Sequence, residues 1–135
     1  MRGEDGSIGV FATVITLALV LVAGLVLDGG RLLAARRQAD DIAANAARAG
    51  AQAIDETSLR SGGTTLDPIA GRDAVAVYLA ATPATGTARI TGDTVTVDAR
   101  LAVPMLLLTI AGIGTTTVTA RRQARAVRGV TAGES

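Results

Sequence analysis

The chain has 135 residues, 49% of them apolar, and its 13 basic residues, all arginine, face 12 acidic ones for a net charge of +1. That length holds one modest domain plus an anchor. With no Cys, no His and no aromatics beyond Phe11 and Tyr78, it excludes thiolate chemistry, a disulfide frame, zinc-finger spacing and the commonest general base. A near-neutral charge and missing stacking rings also exclude a nucleic-acid footprint.

Residues 1–7 form a short N-terminal tail. Ile8 to Leu27, IGVFATVITLALVLVAGLVL, then runs without charge or proline. About 20 helical residues cover about 30 Å, the thickness of a bilayer's hydrocarbon core. The run therefore predicts a transmembrane helix over 8–27. A cleaved signal peptide has a shorter apolar region followed by a small-residue cleavage site. Here Asp28 and Arg31 follow instead. A buried core helix fits poorly, because no face of the segment is polar.

The junction Asp28, Gly29, Gly30, Arg31 marks the membrane boundary, and Arg31 stands three residues from Asp28, within pairing reach on a helix. Beyond it, Leu32, Ala35, Ala39, Ile42, Ala46, Ala49 and Ala53 recur at alternating spacings of three and four. That is a heptad seam built mostly of alanine. It predicts an amphipathic helix over 28–56, with Arg36–Asp40 and Arg37–Asp41 as helix-stabilising pairs four apart. A seam of small residues lets a neighbour approach closely. That neighbour is the chain's own domain or another subunit, and the seam alone does not choose.

Residues 57–67 are rich in Ser, Thr and Gly and predict a loop. Asp67-Pro68 has the form of a helix N-cap followed by proline at the first helical position. A stripe of Ala70, Ala74, Val77, Tyr78 and Ala81 continues that helix to Thr82-Pro83. Ala88 to Thr91, a Gly92-Asp93 turn and the alternating run Thr94 to Val103 predict a hairpin. Val95, Val97, Ala99, Leu101 and Val103 share its inner face. A last strand is expected over Thr115 to Arg128. Residues 68–130 thus form a small α+β domain, and 131–135 a disordered tail. The stretch PMLLLTIAGIG, 104–114, is too short to span a bilayer. It is expected either to tuck onto the core or to present an apolar patch to membrane or a neighbour.

No constellation of catalytic, cofactor-binding or metal-ligating residues emerges. Asp40 and Asp41 are adjacent, so on a helix they diverge by roughly 100°. Gly29-Gly30 lacks the Lys-Ser/Thr of a phosphate loop, and Gly62-Gly63 opens no helix directly. The expectation is a protein that is not an enzyme, with no cofactor and no small-molecule substrate.

The tail ending in Gly6-Ser7, the uncharged span, the stretch DGGRLLAARRQADD and the Ala-rich helix together resemble the TadE/TadG-like proteins of the tight-adherence (Flp) pilus machinery. The likeness rests on the first 55 or so residues. It implies a pilin-like, membrane-anchored protein; with the elements above, the architecture is α+β: a long N-terminal transmembrane helix continuing into the amphipathic one, then a short helix and a three-stranded antiparallel sheet. It also implies a minor pilin-like subunit or assembly factor, with the bilayer, other pilus or secretion-apparatus subunits and possible copies of itself as partners. The C-terminal domain would lie outside the cytoplasm, although Arg31, Arg36 and Arg37 argue the other way by the positive-inside rule. The alternatives are a membrane-tethered extracytoplasmic binding or sensor module unrelated to pili, or a cleaved secreted protein.

In family members cut by prepilin peptidase, a glutamate stands five residues after the glycine. Here Phe11 occupies that place after Gly6. We therefore predict that intact-mass measurement of the membrane-extracted protein will show residues before Ser7 retained. A mature chain beginning at Ser7 would show that cleavage proceeds without the glutamate.

Overall fold

A computed structural model describes residues 4–107, 109, 112 and 114–127. The expected tail 131–135 lies outside these residues, as do positions 1–3 and four positions of the 104–114 stretch. The elements in chain order are α1 (Glu4–Gly50), α2 (Glu56–Arg60), α3 (Pro68–Ala80), β1 (Thr85–Thr91), β2 (Thr94–Pro104) and β3 (Thr115–Arg125). The layout is α+β, with one sheet in the order β1-β2-β3. The chain divides into two compact units, one of described residues up to 34 together with those from 103 to 116, the other of 35–102 and 117 onward.

α1 is a single helix of 47 residues, unbroken through Gly29 and Gly30. In the second unit its inner face supplies Ala35, Ala39, Ile42, Ala43, Ala46 and Ala47, all buried. The expected helix over 28–56 stops earlier, at Gly50. The chain leaves through the tight turns Gln52 N–H to Ala49 O (3.3 Å) and Ala53 N–H to Gly50 O (3.2 Å). It must turn there because Ile54 bridges antiparallel to Leu66. At the start of the expected loop, residues 56–60 form the single turn of α2. Asp55 caps it, accepting from the Ser58 N–H at 2.8 Å, a cap the Ser/Thr/Gly composition concealed.

α3 starts as its cap predicts, with Asp67 accepting from Ile69 N–H (2.8 Å) and Ala70 N–H (3.1 Å). Its buried face is a correction. Gly71, Val75 and Leu79 point inward, whereas Ala70, Val77 and Ala81 of the expected stripe are exposed. The reason is a close crossing. A Cβ on Gly71 would lie 3.3 Å from the Gly50 carbonyl oxygen, and one on Gly50 would lie 2.8 Å from Val75 Cγ2 and 3.1 Å from Val95 Cγ1. Two glycines let α1 and α3 touch backbone to side chain, and that contact selects the row 71, 75, 79.

The hairpin pairs Thr91 with Thr94 and Ile90 with Val95, and it extends back to Thr85 opposite Arg100. β1 is thus longer than expected. Gly92 takes φ +60 in the turn, a conformation glycine adopts at little cost. Val95, Val97, Ala99, Leu101 and Val103 are all buried, as their alternation requires. β3 ends at Arg125 instead of Arg128, and position 128 lies outside the described residues.

Salt bridges tie elements that are far apart in sequence. Asp40, expected to pair with Arg36, meets Arg122 of β3 at 3.0 Å. Arg122 has the parity of the inner face at an edge strand, and Asp40 gives its charge a partner at the rim. Across β2 and β3, Arg121 holds Asp98 through Nε (2.5 Å) and Nη2 (3.2 Å). That hydrogen bond, helped by the nearby positive charges of Arg121, Arg89 and Arg100, holds the Asp98 carboxyl below its usual range.

Gly50→Ala tests the crossing. Overpacking a dense core costs typically about 1–3 kcal/mol. We expect the variant to melt at a lower temperature by circular dichroism in detergent, and Gly29→Ala, where an added Cβ meets nothing within 4 Å, not to.

Candidate functional site at Asp28

The first half of α1 is bare. Ile8, Phe11, Leu17 and Leu25 are each more than half exposed. The helix holds a stretch of mean hydropathy 2.8, long and apolar enough to cross a membrane, and 6% of that stretch is buried within the protein. It is therefore not a core helix of this chain. From Ser7 to Ala34, two residues are buried, Gly24 and Asp28. They stand four apart, one above the other on the same face.

Asp28 is 1% exposed. Its carboxylate accepts from two successive backbone amides, Leu106 N–H on Oδ1 and Leu107 N–H on Oδ2, each at 3.0 Å. Hydrogen bonds to a carboxylate are roughly twice as strong as neutral ones. The geometry resembles a helix N-cap, but the acceptor comes from a distant part of the chain. The turn it caps has further bonds of its own. Thr109 Oγ1 donates to Met105 O at 2.6 Å. Met105 N–H reaches Gly114 O and Gly112 N–H reaches Thr109 O, each at 3.0 Å.

Gly24 makes the approach possible. A Cβ built there would collide with the Leu107 side chain, overlapping Cδ1 and lying 3.0 Å from Leu107 Cβ. Leu107 thus lies on bare helix backbone one turn before the carboxylate that holds its amide. Together Gly24 and Asp28 clamp the 105–107 turn in both position and register.

Of the residues singled out by sequence, Asp28 is at this site. Its carboxylate accepts from the two amides, and Arg31, within pairing reach on the helix, is exposed. Gly29 and Gly30 are exposed and meet no neighbour where a Cβ would point. Gly6 and Ser7 fall near the start of α1. Of the seam, Ala35, Ala39, Ile42 and Ala46 are buried in the second unit and Leu32, Ala49 and Ala53 are half-buried. Gly24, Leu106 and Leu107 were missed. The available signal was a glycine one helical turn before an acid at the end of an apolar run.

Elsewhere, a shallow groove of about 450 Å³ is lined by Arg48, Ile54, Ala124 and Arg125 among others. Both cations have partners, Arg48 with Asn45 at 2.9 Å and Arg125 with Asp93 at 3.5 Å. Among the described residues no group of three or more acids could hold a metal ion.

The bare helix, the buried acid at its end and the seam beyond coincide with one finding. Residues 6–53 match the model of the Flp pilus-assembly TadE/G-like family. The TadE/G-like segment begins near the start of α1 and ends just past Gly50, so it takes in the apolar run, the DGGR junction and the alanine face. No curated protein and no solved structure matches the chain.

Removing the Asp28 acceptor leaves two amides without their partner, at roughly 1–3 kcal/mol for each buried donor. In Asp28→Ala, hydrogen exchange at Leu106 and Leu107 should accelerate strongly while exchange in β2 at Val97 stays slow. Protection retained at 106 and 107 would show that something other than this carboxylate orders the turn.

Proposed function

We propose that the chain is a membrane-anchored, pilin-like component of a Flp (tight-adherence) pilus machinery, acting as a minor subunit or assembly factor with a structural role. The observation that carries this reading is the TadE/G-like match over residues 6–53, which falls on a helix whose apolar half is exposed on every face but one. In this reading 8–27 cross the membrane once and the sheet domain lies outside the cytoplasm. A Thr-rich outer face suits that exterior. The arginines after the span favour the opposite orientation.

The partners in this reading are the bilayer and other pilus subunits, including copies of the same chain. Four seam residues are spent inside the chain's own domain, so subunit contacts fall to surfaces other than Ala35, Ala39, Ile42 and Ala46. The buried positions Ala39 and Ala46, both 0% exposed, are accordingly poor places to probe assembly, since a charge there would break the fold first.

Deleting the gene in its host should abolish surface Flp filaments, with restoration by the wild-type copy. A phosphatase fused after Ser135 should be active. Normal filaments in the deletion strain would sink the pilus role, and a fusion active only as a cytoplasmic reporter would reverse the orientation.

A further inference from the structure

The 105–107 turn is held at an unusual place. Leu107 lies against Gly24, one helical turn inside the apolar run, and Asp28 at the end of that run holds the Leu106 and Leu107 amides. One turn of helix is about 5.4 Å. On the same stretch of α1, Leu25, Val26 and Leu27 are 63%, 69% and 58% exposed, and Leu106 on the turn is 55% exposed. Apolar side chains of helix and turn are therefore bare at one level.

Several backbone groups of the turn also have partners within the protein. Irregular chain at membrane depth is tolerated only where its polar groups find partners in the protein. Here the amides of 105, 106, 107 and 112 all donate to protein acceptors, and the Thr109 hydroxyl is folded back onto the Met105 carbonyl.

We propose that the turn at Met105–Leu107 is a lip that enters the same leaflet as the C-terminal end of the span, with Leu106 contacting lipid acyl chains just below the headgroups. Interfacial segments bury their apolar faces about 5–10 Å into that boundary, which matches a lip seated one helical turn inside Asp28. The inference rests on the reading of 8–27 as a membrane anchor. Its occupant is lipid because the exposed leucine continues the apolar surface of the span itself.

The chain has no tryptophan, so a single one reports its own surroundings. Three full-length variants, Leu106→Trp, Leu17→Trp and Gln123→Trp, would be reconstituted into phosphatidylcholine–phosphatidylglycerol vesicles with and without bromine on the acyl chains. Each replaces an exposed residue, so the fold is undisturbed. The proposal expects Trp fluorescence at 106 to be blue-shifted and to lose most of its intensity to shallow-brominated lipid, whereas that at 17, in mid-span, is blue-shifted and quenched chiefly by deep bromine. The tryptophan at 123 should remain red-shifted and unquenched. If 17 is quenched while 106 behaves like 123, the anchor stands and the lip is overturned. If 106 is blue-shifted but unquenched, protein and not lipid covers it, and the lip is again overturned. If 17 itself is unquenched, the anchor reading fails and the lip with it.

Discussion

A buried carboxylate is among the more expensive groups to place in a protein unless hydrogen-bond donors surround it. Asp28 sits at the end of an apolar run with two donors supplied by backbone, and much of the first unit follows from that pairing. The donors come from a turn that presents two consecutive amides to the one carboxylate. The turn must come close, because each bond is 3.0 Å long. Closeness in turn requires a residue without a side chain on the facing helix, and Gly24 is that residue. The 105–107 turn is thereby seated on α1 with one register.

The second unit meets its own constraint differently. A face of alanines buries little apolar area per residue, and stabilisation scales with that area. Such a core gains chiefly by bringing backbones near each other, so that dispersion contacts are many. Gly50 against Val75 and Gly71 against the Gly50 carbonyl show how near. The valines of β2 fill what the alanines leave. Ion pairs such as Asp40–Arg122 lie at the rim, half exposed, where their contribution is small.

Local features were legible from sequence and distant ones were not. The Asp67-Pro68 start of α3, the Gly92-Asp93 turn and the inner row of β2 each depend on residues a few positions apart. The face of α3 was misjudged because glycine carries no hydrophobic signal, yet Gly71 is what places Val75 and Leu79 inward. Asp28 was singled out as a boundary residue. Its actual partners stand 78 and 79 positions away, and no periodicity reports such a separation. Asp40 was assigned to a neighbour four residues off for the same reason. Arg122 reached it only because the sheet folds β3 back onto α1.

The contact at Gly24 gives the apolar run an uneven tolerance to substitution. Positions such as Leu19, Leu21 and Val22 touch nothing in the protein that would distinguish one aliphatic side chain from another, so drift among Leu, Ile and Val should be nearly silent there. Gly24 differs, since even one methyl group would displace Leu107 and with it the amide that Asp28 holds. A stretch that hydropathy treats as uniform therefore contains one letter chosen for shape.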